Sequence, residues 1–215
     1  KLCILPAEHQ SAWVVNGELR FIHLYFDVEQ FALGAVRLLD REPRETRLHE
    51  RTFIDEPLQT ARFRALSRLD WDEPAERLLC SSLACAILDH SLLGHSGRRQ
   101  DLQVKGGLAA HQRKDLLDYI EQHLDQPLSS DALAQRVALS PYHFARMFQL
   151  SVGLAPHRYV LRRRLQRAAH LLQHSRLALG EIALSCGFAS ASHFSNRFRQ
   201  AFGATPGLYR QALAH

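Results

Sequence analysis

The sequence predicts a mainly α-helical chain, with an N-terminal α+β region and a C-terminal all-α tandem helix-turn-helix domain. Three observations lead to this fold class. One segment is written twice, apolar residues recur at helical spacing through most of the chain, and short β-forming stretches are confined to its start. At 215 residues the chain can bury one large core or two smaller ones.

The duplicated segment reads SPYHFARMFQLSVGLAPHRY at 140–159 and SASHFSNRFRQAFGATPGLY at 190–209. In both copies a serine suits a helix N-cap, two phenylalanines recur at i, i+4, and a glycine suits a left-handed helix end. Apolar residues at the same spacing precede each copy, in LAQRVAL and IALSCGF. Each copy is therefore predicted to complete a helix-turn-helix motif, whose second helix can enter a DNA major groove.

A long helix is predicted between the two motifs. It begins at Pro156 and follows the apolar stripe of PHRYVLRRRLQRAAHLLQHS. A helix of about 19 residues is about 28 Å long, and neighbouring major-groove segments on one face of B-DNA are about 34 Å apart. Because a rigid helix of this length can span neighbouring groove segments, we predict that the chain reads two adjacent major-groove segments of double-stranded DNA.

The charge of the chain is divided between its two halves. Residues 128–215 contain 11 arginines and two acidic residues, whereas residues 1–105 contain 14 basic and 16 acidic residues. A net charge of +9 on one half indicates a polyanionic partner. Arginine in particular suits contacts with phosphates and base edges.

Residues from about 113 to 210 resemble the DNA-binding domain of the AraC/XylS family of bacterial transcription regulators. The resemblance is carried by IALSCGFASASHFSNRFRQAFGATPGLYR, with its I-A-x-x-x-G-F, S-x-S-x-F, F-R-x-x-x-G and P-x-x-Y-R elements. It implies a sequence-specific transcriptional regulator, expected to be an activator that responds to a small-molecule effector. It also implies promoter DNA and RNA polymerase as partners, in the bacterial cytoplasm at the nucleoid.

The resemblance further implies two recognition helices, at about 140–152 and 190–202. Arg146 is the first candidate for a bidentate contact with guanine, and Asn196 can pair with adenine. The expected DNA-binding residues on these helices are Tyr142, Ala145, Arg146, Ala191, Ser192, Ser195, Asn196, Arg197 and Arg199.

The first half of the chain predicts strands followed by helices. The stretches LCILP, AWVVNG and LRFIHLYF are rich in β-formers, and Asn16-Gly17 is a hairpin signal. Helices are predicted to begin at Asp27, Pro57 and Pro74. The polar stretch LGHSGRRQDLQVKGG predicts a linker at 94–110, between a regulatory region at 1–93 and a DNA-binding domain at 111–215.

This half resembles the regulatory part of AraC-type proteins, a cupin-like β-barrel followed by dimerisation helices. LCILPAEHQSAW resembles the last cupin segment, but Glu8 stands where glycine is expected and Ser11 where the metal-binding histidine is expected. No metal and no cofactor are therefore predicted. A barrel needs about eight strands, and about three fit before Asp27. We therefore expect the earlier strands to precede Lys1 or to be absent from this chain.

A homodimer is predicted from the apolar helix at about 73–93, whose stripe contains Leu79, Leu83 and Ile87. Two-fold dimers are the commonest assembly of soluble proteins. In the alternative interpretation, both apolar faces of this helix pack inside one subunit.

Two alternative functions remain for this sequence. An architectural DNA-binding protein without effector control and a cupin-type metalloenzyme fused to a DNA-binding domain are the alternatives. No catalytic residue is predicted, since no cysteine lies in a thiol-activating motif and His9 and His23 are too few for a metal centre. No apolar run reaches the ~18 residues of a membrane span, and four cysteines without a C-x-x-C pair are typical of a reducing cytosol.

Overall fold

The computed structural model describes residues 1–7, 9–10, 12, 14, 16–18, 20–99 and 105–213. The chain divides into two compact units. The N-terminal unit contains Lys1–Asp70 and Cys80–Val104, and the C-terminal unit contains Trp71–Leu79 and Lys105–His215. The described residues are mainly helical, as the sequence predicts.

In the described part of the chain, the N-terminal unit combines three helices with four short strands. The helices are α1 (Val28–Leu39), α2 (Pro57–Leu66) and α3 (Pro74–His95), of which the first turns of α3 belong to the C-terminal unit. The strands are β1 (Leu2–Ile4), β2 (Thr46–Leu48), β3 (Arg51–Ile54) and β4 (Ser96–Arg98). They form two antiparallel pairs, β1 with β3 and β2 with β4.

The three helices begin where local signals in the sequence predict. The side chain of Asp27 caps α1 by accepting a hydrogen bond from the backbone N–H of Gln30 at 2.6 Å. Pro57 and Pro74 are the first residues of α2 and α3, positions where the missing N–H of proline costs no helical hydrogen bond. All three predicted starts are confirmed.

Close contacts hold α1 and α2 against α3. A Cβ atom at Gly34 would lie 2.3 Å from Leu92 Cδ1, so a larger residue there would force the buried Leu92 side chain to move. The wholly buried Gln59 of α2 donates to the carbonyl of Ile87 at 3.1 Å, and Arg62 donates to the carbonyl of Ala86 at 3.1 Å. These hydrogen bonds satisfy polar groups that burial would otherwise penalise.

The strand prediction for LRFIHLYF is wrong. Residues 20–27 have no strand, and no described residue between 5 and 19 has one. Phe21 and Tyr25 are 67% and 83% exposed, so no second β-segment covers them within the described chain. A β-forming stretch needs a hydrogen-bonding partner, and none pairs with this one. Glu8 and Ser11 lie outside the described residues, and so do Trp13 and Val15 of AWVVNG.

The predicted linker at 94–110 is also corrected at its beginning. Gly94 and His95 complete α3, and Ser96–Arg98 form β4, which pairs with β2 in the register Leu48↔Ser96 to Thr46↔Arg98. The pairing joins residues 48 to 52 positions apart. A pattern in neighbouring residues of the sequence does not show such a pairing. Residues 100–104 of this segment lie outside the described part of the chain.

The predicted dimerisation residues on α3 differ in exposure. Leu79 is 46% exposed and Leu83 is half-buried, but Ile87 is 3% exposed. A side chain buried within its own subunit offers no surface to a second one, so Ile87 is a core residue rather than an interface residue. Residues 76–95 of α3 also have the length and the mean hydropathy, 1.3, of a membrane span. Of this stretch 28% is buried, including Ile87, Leu88 and Leu92.

Within the described residues, the C-terminal unit contains seven further helices. They are α4 (Ala110–Gln122), α5 (Ser130–Arg136), α6 (Pro141–Val152), α7 (Pro156–His174), α8 (Leu179–Ser185), α9 (Ala191–Phe202) and α10 (Pro206–Leu213). The long helix predicted from Pro156 is confirmed as α7, with 19 residues. Helices α5 and α6 form the first helix-turn-helix motif, and α8 and α9 form the second.

Candidate nucleic-acid interface

Helices α6 and α9 begin and end in the same way. Ser140 and Ser190 are the N-caps, and their hydroxyls accept hydrogen bonds from the backbone N–H groups of His143 and His193 at 3.4 and 3.1 Å. Gly153 and Gly203 end the helices in the left-handed conformation, with φ of 80° and 74°. The duplicated caps predicted from the sequence are therefore present in both motifs.

The turn before each of these helices also contains a left-handed residue. In the first motif this residue is Ala138, with φ of 53°, and in the second it is Gly187, with φ of 75°. In each turn the next residue donates a backbone hydrogen bond into the preceding helix, Leu139 to Ala134 at 3.1 Å and Phe188 to Ala183 at 2.9 Å. The two turns share their geometry although their residues differ.

An aromatic cluster supports each helix from beneath. In the first motif Phe148 lies 5.5 Å from Phe144 and 5.7 Å from Tyr159, between ring centroids. In the second motif Phe198 lies 5.5 Å from Phe194 and 5.1 Å from Tyr209. The four phenylalanines are wholly buried. Because these rings occupy one face of each helix, the opposite face of each helix is left to solvent.

Polar contacts fix α7 to α4. Arg163 forms a bidentate ion pair with Glu121, in which Nη2 lies 2.7 Å from Oε2. Burial is the largest single influence and opposes the charge of Arg163, but the hydrogen bond that Arg163 donates to Glu121 and the charges of Glu121 and Tyr159 together outweigh burial, so the pKa of Arg163 is raised. Arg164 donates to the carbonyls of Leu124 at 2.8 Å and Gln126 at 2.6 Å, in the turn that follows α4.

Burial changes the ionisation of two further groups near this contact. It lowers the pKa of Arg164, although a guanidinium stays charged at neutral pH. It also raises the pKa of the Cys186 thiol, which is buried in the core of the second motif. Cys186 is therefore a neutral apolar core residue and not a reactive thiol.

The nine predicted DNA-binding residues all lie on α6 or α9, and none is buried. On α6, Tyr142 is 84% exposed, Arg146 is exposed and Ala145 is half-buried. On α9, Ser195 is half-buried, and the remaining residues are exposed: Ala191, Ser192, Asn196, Arg197 and Arg199. The structure brings each set onto one helix, and their contact with DNA stays a prediction.

Neighbouring side chains orient part of the α9 surface. Arg197 donates from Nε to His193 Nε2 and from Nη1 to Gln200 Oε1, both at 3.4 Å. The His193 ring lies edge-on to Phe188, with 5.8 Å between centroids. The sequence did not single out Gln200, because its partner on the helix is identified only by side-chain geometry.

A protein-family profile described as a helix-turn-helix domain matches residues 133–212. The match spans both motifs, from α5 to α10. Residues 133–212 are therefore a helix-turn-helix domain.

Relatives of the chain include transcription regulators of Escherichia species. The chain is 44% identical over 96 residues to the HTH-type transcriptional activator RhaS of Escherichia fergusonii, covering 45% of this chain and 34% of the relative. It is 37% identical over 114 residues to RhaS of Escherichia coli strain SE11, covering 53% of this chain and 41% of the relative. The chain thus spans well under half the length of these relatives.

Two solved structures resemble part of the chain. A transcriptional regulator with an AraC-type DNA-binding domain from Chromobacterium violaceum is 34% identical, covering 49% of this chain and 94% of that one, with a TM-score of 0.45. The DNA-binding domain of AdpA, solved in complex with a target DNA, is 30% identical, covering 46% of this chain and 90% of that one, with a TM-score of 0.46.

Proposed function

We propose that the chain is a sequence-specific DNA-binding transcriptional regulator that inserts α6 and α9 into adjacent major-groove segments. The observation that carries this proposal is the pair of identically capped helices whose buried faces are aromatic and whose exposed faces hold the nine predicted contact residues. The net charge of +9 over residues 128–215 supports it, since phosphate contacts supply most of the affinity for DNA.

The activator role is proposed from the relatives, which are named transcriptional activators. Promoter DNA and RNA polymerase are the proposed partners, in the bacterial cytoplasm. A small-molecule effector and a homodimer formed through the exposed parts of α3, including Leu79 and Leu83, are proposed with them. Sedimentation velocity tests the homodimer directly, and a monomer at micromolar concentration contradicts it.

The chain is expected to bind duplex DNA with an affinity that falls steeply as salt rises. Each phosphate contact releases a counterion, so the logarithm of the binding constant falls with the logarithm of salt by about 0.9 per contact. Fluorescence anisotropy with duplexes selected from a random library measures both the affinity and the slope. A binding constant that does not change with salt, or no selected sequence at all, contradicts the proposal.

Replacement of Arg146 by alanine is expected to reduce sequence discrimination by about 1–3 kcal/mol, as for the loss of a bidentate base contact. The measurement compares the affinities of the variant for the selected duplex and for duplexes with single base-pair changes. At one base pair the variant should lose its preference, while the other base pairs are read as before.

The matched control is Arg176→Ala. Arg176 is also exposed, but it lies in the connection between α7 and α8 rather than on α6 or α9. Both variants lose one positive charge, so both should weaken the electrostatic attraction to DNA that does not depend on its sequence. If Arg146→Ala weakens every duplex equally, as the control does, Arg146 is a phosphate contact and its assignment to base readout is wrong.

A further inference from the structure

We propose that Glu56, His90 and His95 form a binding site for a divalent transition-metal ion of the zinc class. These residues lie in the N-terminal unit, and their candidate ligand atoms all lie within 4.8 Å of one another. His90 Nε2 is 3.2 Å from Glu56 Oε2, and His95 Nε2 is 2.9 Å from Glu56 Oε1. The proposal is independent of DNA binding.

The separations of the donor atoms match the size of a zinc ion. Zinc binds histidine nitrogen and carboxylate oxygen at about 2.0–2.2 Å, so neighbouring ligand atoms in a tetrahedral site are about 3.3 Å apart. The two nitrogen–oxygen separations already lie close to this value. The third separation, between the two histidine nitrogens, is within 4.8 Å, so an ion would draw these two side chains closer together.

The hydrogen bonds of Gln59 hold Glu56 opposite α3. Gln59 follows Glu56 by three residues, and its buried amide donates to the carbonyl of Ile87 at 3.1 Å and lies 3.5 Å from the hydroxyl of Ser91. Ile87 and Ser91 flank His90 in α3. The start of α2 is therefore fixed against the helical turn that carries one of the two histidines, so the ligands are held in place before an ion binds.

The second histidine is fixed by the β2–β4 pair. The carbonyl of His95 accepts a hydrogen bond from the backbone N–H of His49 at 2.7 Å. The next residue, Ser96, begins β4 and is paired with Leu48 of β2. The last residue of α3, which would otherwise be free to fray, is thereby held at the site.

The site is accessible and its donors favour a particular group of metals. The side chains of Glu56, His90 and His95 are 22%, 32% and 14% exposed, so an ion can enter from solvent. Imidazole donors suit zinc, copper, iron and nickel, whereas magnesium prefers oxygen donors alone. Three protein ligands leave a fourth tetrahedral position for water or a small anion.

The experiment is isothermal titration of the chelator-treated chain with Zn²⁺ at neutral pH, with Mg²⁺ as the control ion. We expect one equivalent of Zn²⁺ to bind. Loss of an outer hydrogen-bond partner costs a metal site about 10–100-fold in affinity, so Glu56→Gln and His95→Ala, which remove a ligand, should each cost at least about 100-fold. The matched controls are Glu50→Gln and His23→Ala, which change the same residue types elsewhere in the same unit.

Two results overturn the proposal: the wild-type chain binds no stoichiometric Zn²⁺, or Glu56→Gln and His95→Ala bind it as tightly as the controls do. The second result would assign the metal to other histidines. The chain has 13 histidines, His90 and His95 included. Far-UV circular dichroism checks that each variant is folded. Glu56→Gln keeps the shape of the side chain, so it reports on the site even if a histidine variant unfolds.

Discussion

Replacing Phe198 by alanine is expected to lower the free energy of unfolding of the C-terminal unit by about 3–5 kcal/mol, the usual cost of removing a buried aromatic ring. The Phe198 ring is wholly buried and lies 5.5 Å from Phe194, 4.4 Å from Phe202 and 5.1 Å from Tyr209, between centroids. Its loss leaves a cavity among three aromatic side chains, which can close only if α10 moves toward α9.

Urea unfolding followed by far-UV circular dichroism measures this effect. Phe21→Ala is the matched control, because it removes the same atoms from a ring that is 67% exposed, and a surface substitution of this kind costs within about 0.5 kcal/mol. Equal midpoints for the two variants would contradict the assignment of Phe198 to the core. If Phe198→Ala loses DNA binding and Phe21→Ala keeps it, the loss follows from the unfolding of α9.

Replacing Gly187 by alanine is expected to cost about 2–5 kcal/mol, from two separate causes. A left-handed conformation costs a non-glycine residue about 1–2 kcal/mol, and φ at Gly187 is 75°. The new Cβ would also lie 2.2 Å from the carbonyl oxygen of Leu124 and 2.8 Å from the guanidinium of Arg164. Overpacking of this kind adds about 1–3 kcal/mol.

A second glycine separates these two causes. Gly203 has nearly the same φ, 74°, but no atom lies within 4 Å of its Cβ position. Gly203→Ala therefore measures the backbone cost alone, and the difference between the two variants in urea unfolding measures the collision with Leu124. If both variants are destabilised equally, the close approach of the Leu124 carbonyl to this turn is absent in solution.

The helix starts of this protein could be predicted because their causes are local. Asp27, Ser140 and Ser190 accept hydrogen bonds from N–H groups three residues later, and Pro57 and Pro156 occupy first turns. Each signal and its effect lie within four residues of one another. The repeat adds a second line of inference, because the same caps and aromatic residues return fifty positions later.

The N-terminal strands could not be predicted in the same way. The β-forming stretch LRFIHLYF has no strand, while the polar Ser96–Arg98 pairs with Thr46–Leu48. A strand is stabilised by hydrogen bonds to a partner that is distant in sequence, so β-propensity alone does not determine it. The burial of Ile87, which looked on the sequence like one member of an exposed stripe, depends in the same way on what packs against α3.

By itself the sequence determined the mainly helical fold, the two helix-turn-helix motifs, the length of α7 and the residues on the exposed faces of α6 and α9. These features depend on helical periodicity, on capping and on the distribution of charge, all of which act over short distances along the chain. The tertiary structure alone decided why Gly187 must be glycine, through the carbonyl of Leu124. It also brought Glu56 to His90 and His95, across 34 and 39 positions, because packing of α2 on α3 depends on side chains that no local pattern connects.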